Sequence, residues 1–316
     1  MRNSGCFVFL LLVILIWEIM NRDKRCPLLV KSVPDKDIYQ KITSSEAGWN
    51  YLNFIARTIK PGQKWSGETG ENEFLFVLLG GNFTAETSAG AWKTTNGRKD
   101  VFTGLPHALY LPKHTEFEIV PVGKILDIAC GSCPAENDFP AGFITPSDVL
   151  KMGIEYRGGD NASRQINSIL PPGSACNKLV CVEVYTPSGN WSSFPSHKHD
   201  QRKIDPETGK VKEACLEEIY FYKIDKPQGF AIQKIYNDDR SLDELAEPHN
   251  NDAVLIPEGY HPVIAGHGYN VYYLNFLAGS DQSLANTDDP DHKWIYGTWK
   301  GMDPRIPVVT IDMNKE

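Results

Sequence analysis

The chain has 316 residues, a formal net charge of -8 at pH 7, and 41% hydrophobic and 23% charged residues. This length is enough for one large or two ordinary domains with a real core, and we expect two. The negative charge, without any Lys/Arg cluster, excludes a nucleic-acid-binding surface, which needs a basic stripe. A small-molecule ligand is therefore the expected partner.

The chain begins with an unbroken apolar run of twelve residues, Cys6 to Trp17. This run is shorter than the ~20 residues of a membrane span. Its length suits a secretory signal, but the following EIMNRDKRC lacks a small-residue cleavage pattern. Three interpretations of residues 1–27 stay open: a misassigned start, with Met20 as a second start, a targeting or anchor segment, or part of the fold.

Seven cysteines are spread over the chain without the density of a disulfide scaffold. Their odd number leaves at least one unpaired and favours reduced thiols. Cys130 and Cys133 form a C-x-x-C, but no second pair completes a zinc site, so we expect a structural role for them. These features favour a cytoplasmic protein, with secretion or membrane anchoring through residues 6–17 as the alternative.

Residues 28–142 are predicted to form an N-terminal β domain. Phe74 to Leu79 is a short apolar run closed by Gly80 and Gly81, which is typical of a buried strand and a turn. The stretch DVFTGLPHALYLPKHTEFEIVPV supplies two more strand-like pieces separated by Gly and Pro. Short strands at this spacing predict a sandwich or a barrel.

Residues 143–170 are predicted to be a linker with one short helix. Thr145 is suited to the N-cap, a proline follows it, and Asp148 lies in the first turn. Arg157 and Arg164 flank a Gly-Gly-Asp-Asn turn. Either these arginines are solvated, or one of them holds an anionic substrate by a bidentate contact.

Residues 171–285 repeat the plan of the first half. VCVEVYTPSGNWSSFPSHKHD corresponds to the stretch around Trp65, and AVLIPEGYHPVIAG corresponds to ALYLPKHTEFEIV. Each copy places a proline four residues before a polar residue, which indicates two copies of one β unit. The remaining residues, 286–316, are predicted to be a loop-like tail whose Trp294 and Trp299 cap the barrel.

Only the second copy carries candidate metal ligands. His197 and His199 lie two apart, so in a strand they share one face while Lys198 lies on the other. A carboxylate follows where EEIYFYKI begins a predicted strand, and His261 follows a Pro-Glu-Gly turn. The order His-x-His, Glu, then His after a P-x-G turn resembles the ligand order of the cupin barrel.

Adjacent residues of a strand face opposite ways, so only one of Glu217 and Glu218 can join these histidines. We expect Glu218, because it directly precedes Ile-Tyr-Phe-Tyr as the cupin carboxylate precedes its strand. The remaining histidines are expected to be ordinary polar residues: His107, His114, His249, His267 and His292.

Several motifs in order resemble the 5-deoxy-glucuronate isomerase family of inositol catabolism: ITSSEAGWNYLNF, RGGDNASRQI, GNWSSFPSHKHD, LEEIYFY, PEGYHPV and GYNVYYLNFLAG. The resemblance spans Leu28 to Trp299. It implies an all-β bicupin, with two cupin-type β-barrels joined by a short helix, an N-terminal barrel without metal ligands and a divalent metal in the C-terminal barrel. The implied reaction converts 5-deoxy-glucuronate to 5-dehydro-2-deoxy-gluconate.

The expected metal is zinc, manganese or iron, since mixed nitrogen and oxygen ligands do not name the ion. It would polarise the aldehyde while a base moves a proton between C2 and C1. The candidate bases, in falling order, are Glu217, Asp200 and Lys198, and a hydride shift stays open. The carboxylate of the substrate needs a cation, for which Arg157, Arg164 or Lys198 is expected.

Other functions compete with this interpretation. An isomerase of a related uronate would use the same site, and a cupin dioxygenase would use the same ligands around iron and consume oxygen. A sugar-binding or storage bicupin would need no metal. A homo-oligomer is left open, and a membrane partner is expected only if the apolar leader is an anchor.

Overall fold

A computed structural model describes residues 21–315. Its strands, numbered in chain order, are β1 (Arg22–Asp23), β2 (Cys26–Val30), β3 (Ile38–Ile42), β4 (Asn53–Ile59), β5 (Trp65–Glu68), β6 (Asn72–Gly80), β7 (Phe83–Thr87), β8 (Gly90–Lys93), β9 (Ala108–Leu111), β10 (Glu116–Pro121), β11 (Leu126–Pro134), β12 (Gly142–Ile144), β13 (Ile154–Arg157), β14 (Arg164–Leu170), β15 (Val180–Thr186), β16 (Trp191–Ser192), β17 (His197–Lys198), β18 (Asp200–Ile204), β19 (Val211–Ile224), β20 (Ala231–Tyr236), β21 (Asp243–Ala246), β22 (Ala253–Ile256), β23 (Val263–Ala265), β24 (Val271–Gly279) and β25 (Thr287–Asp288). The α-helices are α1 (Ser44–Ala47) and α2 (Pro146–Met152), and 3-10 turns span Asp160–Ala162, Lys293–Gly297 and Ile311–Lys315.

The two halves of the chain have the same strand order. In the first half, one sheet runs β12-β9-β6-β11-β4-β3 and a smaller one runs β5-β10-β7-β8. In the second half, the larger sheet contains β2-β22-β19-β24-β15-β14 and the smaller one runs β16-β23-β20-β21. The register agrees as well, because Trp65 pairs with Ile119 and Trp191 pairs with Ile264. The predicted all-β bicupin fold is confirmed.

Strand β6 shows why its sequence is apolar without alternation. Leu75 and Val77 pack in a cluster that both halves share, whereas Phe76 and Leu78 pack inside the first barrel. A strand covered on both faces reads as a continuous apolar run. The buried strand predicted over Phe74 to Leu79 therefore lies between a barrel interior and the contact between the barrels.

Strand β19 has the same double burial in the second half. Ile219 and Phe221 face the first barrel, where the Phe221 ring lies 5.1 Å from that of Phe54. Tyr220 and Tyr222 face the interior of the second barrel. Odd-numbered residues of this part of β19 therefore point to the contact between the barrels, and even-numbered residues point into the barrel.

Two glutamates connect the barrels by accepting hydrogen bonds from backbone N–H groups. Glu73, on β6, accepts N–H groups of residues 178–179 at 2.7 and 2.9 Å. Glu217, on β19, accepts N–H groups of residues 50–52 at 2.7 to 3.0 Å. Each carboxylate thus satisfies donors of the other half that would otherwise lack partners.

A fully buried ion pair also crosses the contact. Arg98, between β8 and β9, lies 2.9 Å from Glu183 on β15, and both side chains are 0% exposed. Glu183 also accepts hydrogen bonds from Asn167 and Tyr185, at 2.8 and 3.0 Å. A charge held this far from water depends on its partners, because desolvation costs several kcal/mol per ion.

Some predicted boundaries differ from the structure. The helix in the linker is confirmed, with Thr145 and Asp148 forming a reciprocal capping box. The prediction of a linker over residues 143–170 is wrong for its second part, because β14 is an entirely buried strand of the second barrel. Residues 28–30 were predicted in the N-terminal domain but belong to the sheet of the second barrel, since β2 pairs with β22.

The predicted leader and the predicted C-terminal tail both contain strands of the described structure. Most of the predicted leader, residues 1–20, lies outside the described part, and the rest enters β1 and β2. The tail pairs β25 with β17 instead of remaining loop-like throughout. Between residues 21 and 315, no helix is long and apolar enough to cross a bilayer.

Replacing Glu183 with Gln should destabilise the protein strongly. The variant keeps the shape of the side chain but leaves the Arg98 guanidinium buried without a counter-charge, which costs about 3–5 kcal/mol. Urea denaturation measures the free energy of unfolding. Glu118→Gln is the matched control, because it removes the exposed pair with Lys64, which solvent screens, and should change the free energy of unfolding little. Equal losses in the two variants would contradict the importance of the buried pair.

Candidate metal centre and substrate cavity

Three side chains of the second barrel bring donor atoms together. His199, Glu218 and His261 are buried and offer ligand atoms within 4.8 Å of one another. The Glu218 carboxylate lies 2.9 Å from Nε2 of His199 and 3.3 Å from Nε2 of His261. The residues come from three separate segments, so only the closed barrel assembles them.

The local backbone holds both imidazoles in one orientation. Nδ1 of His261 donates to the Gly259 carbonyl at 2.8 Å, and Nδ1 of His199 faces the Leu216 carbonyl at 3.3 Å. A carbonyl only accepts, so the proton belongs on Nδ1 and the lone pair of the neutral ring belongs on Nε2. This arrangement orients metal-binding histidines in proteins.

Gly259 is needed at the turn before His261. Its φ is +85°, and a Cβ there would lie 2.5 Å from the carbonyl oxygen of Tyr236. Only glycine adopts this conformation at such close approach without strain. The Pro-Glu-Gly turn noted in the sequence therefore determines where the His261 ring enters the barrel.

The donor set fits a cation. Nε2 of His261 is buried and makes no hydrogen bond to any described group, although Glu218 lies beside it. Two imidazole lone pairs and a carboxylate oxygen would otherwise face one another without a proton or cation between them. Such a set of nitrogen and oxygen donors suits a divalent transition metal.

Electrostatics in this cluster keep the carboxylate ionised. Burial opposes the charge of Glu218, but the adjacent imidazoles of His199 and His261 lower its pKa to about 2. Burial also opposes a charge on His199, yet the contact with Glu218 raises the pKa of that imidazole. Burial and the neighbouring His261 hold the pKa of His197 well below its usual value, so that ring is neutral.

His197 lies beside this cluster. Its ring centroid is 5.0 Å from that of His261, but its nitrogens are not among the three converging donors. As expected, His197 and His199 share a face. Lys198 points the other way and is paired with Asp238.

The three predicted bases all lie outside the residues that line the cavity around this cluster. Glu217 faces the first barrel, where residues 50–52 occupy its carboxylate. Asp200 accepts the N–H of Gly259 at 3.0 Å and lies 3.5 Å from Lys198, behind the cluster. Lys198 is fully engaged on that same outer side, so it contacts neither the proton path nor the substrate carboxylate. The two-residue period of the strands places all three away from the interior.

The cluster opens into a cavity of about 360 Å³. Its walls combine charged, hydroxyl, amide, aromatic and aliphatic groups: Glu155, Arg157, Gly158, Arg164, Ile166, Ser168, Val182, Val184, Ser193, Phe194, His197, His199, Glu218, Tyr220, Tyr273, Asn275, Leu277, Leu284, Asn286, Asp288, Tyr296 and Trp299. This volume is in the range of small-molecule sites.

The two predicted substrate-binding arginines both line the cavity. Arg164 is buried, and its nearest hydrogen-bond acceptor is the Phe194 carbonyl at 3.5 Å. Within residues 21–315 it has no carboxylate partner in an ion pair, and burial lowers its pKa. Arg157 is half-exposed and already paired with Glu155. Arg164 is therefore the buried cation left free for an anion.

Several cavity residues were not predicted from the sequence. Tyr273 and Asn275 line the cavity from β24. Their spacing of two is the signal that could have found them. Asp288, Tyr296 and Trp299 come from the predicted tail, and Trp299, which was expected to cap the barrel, lines the cavity.

The first barrel has aromatic rings where the second has ligands. Phe74 pairs with Leu111 in the first barrel, and Glu218 pairs with Ile256 in the second. Both Leu111 and Ile256 are followed by a proline. Phe74 therefore occupies the position in the first barrel that Glu218 has in the second. The Phe74 ring lies 5.9 and 6.0 Å from those of Phe76 and Phe117. This aromatic packing replaces the ligand set in the first barrel.

Known proteins resemble this chain over most of its length. It matches the KduI/IolB family over residues 28–295. It is 40% identical over 256 residues to the 5-deoxy-glucuronate isomerase of Geobacillus thermodenitrificans, covering 81% of this chain and 90% of that protein. The enzyme of the same name from Bacillus subtilis strain 168 is 36% identical over 260 residues, covering 82% and 92%.

Solved structures agree with the fold. An IolB-like protein from Salmonella typhimurium LT2 superposes with a TM-score of 0.79 at 34% identity, covering 85% of this chain and 98% of that one. The oxalate decarboxylase of Lactobacillus farciminis, solved as a formate complex, gives 0.56 at 11% identity, covering 85% and 90%, which shows the bicupin fold alone. Because the family model matches residues 28–295 and the alignment to a relative 40% identical covers 90% of that relative, this chain belongs to the KduI/IolB family.

Proposed function

We propose that this protein is a metal-dependent 5-deoxy-glucuronate isomerase. It converts 5-deoxy-glucuronate to 5-dehydro-2-deoxy-gluconate, an aldose-ketose isomerisation in inositol catabolism. The names of the relatives support the reaction. The structural observation that carries the proposal is one cavity that joins a cation-binding donor set to a buried, unpaired Arg164.

The residues that would hold the metal are His199, Glu218, His261 and the adjacent His197. When bound, a divalent ion supplies Lewis-acid polarisation of the aldehyde oxygen. The fixed Nδ1–H contacts of His199 and His261 keep their Nε2 atoms directed at that position. Zinc, manganese and iron all suit these donors.

Arg164 binds the carboxylate at the other end of the substrate. Its planar guanidinium can donate two parallel hydrogen bonds to a carboxylate, and burial strengthens them. Arg164 and the donor set line the same cavity, so a sugar acid held by its carboxylate can present its aldehyde to the donor set. No other described cavity cation is both buried and without a carboxylate partner.

One wall of the cavity is partly aliphatic. Ile166 on β14 pairs with Val184 on β15, and Val182 follows on the same face. These side chains exclude water and offer no partner to a hydroxyl group. A substrate with a methylene in place of a hydroxyl suits such a wall, since an unpaired buried hydroxyl costs free energy.

Cytoplasmic action is part of the proposal. The described cysteines are free thiols, and five of these six are buried. Free thiols in a chain of this size are typical of a reducing compartment. Catabolism of a soluble sugar acid takes place there as well.

The reaction can be tested by NMR with two uronates. We expect ketose from 5-deoxy-glucuronate and much less from D-glucuronate, which carries the extra hydroxyl. Equal rates would reassign the substrate to a related uronate. Oxygen consumption in step with substrate loss would contradict an isomerase and favour a dioxygenase.

Replacing His261 or His199 with Ala should abolish bound metal. Removing one nitrogen donor from a buried set leaves too few ligands, so metal content falls from about one equivalent to near zero. Elemental analysis measures the metal, and circular dichroism checks the fold. His267→Ala, at an exposed histidine, is the matched control. Full metal content in His261→Ala would refute the site.

Replacing Arg164 with Met should weaken substrate binding. Losing one partner of a buried charge pair costs about 2–4 kcal/mol, or about 30- to 1000-fold in Kd. Calorimetry with the alditol acid, in which the aldehyde is reduced to an alcohol, measures binding without turnover. Arg202→Met removes an arginine outside the cavity that is paired with Asp281, and should leave Kd unchanged. Equal affinities in both variants would exclude Arg164 as the anion site.

A further inference from the structure

We propose that Asp288 is the catalytic base that moves the proton between C2 and C1 of the substrate. This inference rests on the proposed isomerase function and replaces the three predicted bases, which do not line the cavity. It assigns a role to β25, a strand of two residues in the C-terminal part of the chain.

Among the described residues, three carboxylates line the cavity. Glu218 belongs to the metal-binding donor set. Glu155 lies against the Arg157 guanidinium, 2.7 Å from Nε and 2.5 Å from an Nη atom. Asp288 forms no ion pair with any described cation. It is therefore the one carboxylate of this cavity wall whose charge is not committed elsewhere.

Strand pairing fixes the direction of Asp288. β25 runs antiparallel to β17, with Asp288 opposite His197 and Thr287 opposite Lys198. Directly opposed residues project to the same face, with Cβ atoms about 4.5–5.5 Å apart. His197 faces the cavity, so Asp288 does too. Thr287 faces outward, where its hydroxyl donates to Glu213.

Tyr296 orients the carboxylate. Its hydroxyl donates to Oδ1 of Asp288 at 3.0 Å, and no described group donates to Oδ2. The Tyr296 ring packs edge-on against Trp299 at 5.6 Å. Trp299 in turn lies so close to Gly159 that a Cβ at Gly159 would be 2.6 Å from it. The turn that contains Gly159, between Arg157 and Arg164, therefore packs against the segment that carries Asp288.

The proton transfer balances with one base. Asp288 takes the proton from C2, the electrons of that C–H bond form a C1–C2 double bond, and the π electrons of the aldehyde move to O1. The proton of the C2 hydroxyl passes to O1, and O2 becomes the new carbonyl oxygen. The C1–C2 electrons then take the proton back from Asp288 at C1. No other reactant is required.

The test compares Asp288→Asn with the wild-type protein. Asparagine keeps the oxygen that accepts from Tyr296, so the fold should be retained. We expect kcat to fall about 10²- to 10⁴-fold, the range for a lost general base. Metal content and the Kd for the alditol acid should stay within about twofold. Asp291→Asn, at an exposed carboxylate three residues further on, should leave kcat unchanged.

Two results would overturn the inference. The first is a kcat of Asp288→Asn within about fivefold of wild type. The second is loss of metal or of alditol-acid binding in that variant, which would indicate a structural role. A wild-type protein that leaves 5-deoxy-glucuronate unchanged would instead overturn the proposed function, and this inference with it.

Discussion

Strand β19 is enclosed on both faces, so every side chain in its central part must suit one of two buried environments. Glu218 points into the second barrel, where His199 and His261 meet it. Glu217 points at the first barrel, where the backbone of residues 50–52 satisfies it. A shift of one residue would exchange the two carboxylates. Both the metal-binding donor set and the docking of the barrels therefore depend on the register of this strand.

The two barrels share a fold but use their interiors differently. Inside the first, Phe74 and its aromatic neighbours fill the space that Glu218 and the histidines surround in the second. Aromatic rings bury large apolar areas, and phenylalanine offers no ligand atom to a metal ion. The first barrel instead contributes stability and order, through Arg98 and the donors that hold Glu217.

The substrate cavity is closed by parts of the chain outside the repeated barrel strands. The end of β13 brings Arg157 to one side, and β25 with the segment after it brings Asp288 and Trp299 to another. The close approach of Trp299 to Gly159 joins these two sides. A rigid barrel supplies the donor set, and the surrounding segments supply the groups that bind and move the substrate.

The sequence alone determined the features that are local. The His-x-His spacing, the glycine turn before His261 and the capped helix at Thr145 each depend on neighbouring residues, and the structure contains each of them. Which side of a strand faces a cavity is a different matter, because it depends on what distant segments cover. Only the tertiary structure placed the Glu217 carboxylate at the contact between the barrels, and only the pairing of β25 with β17 placed Asp288 at the cavity, since no local pattern records contacts across 91 residues of chain.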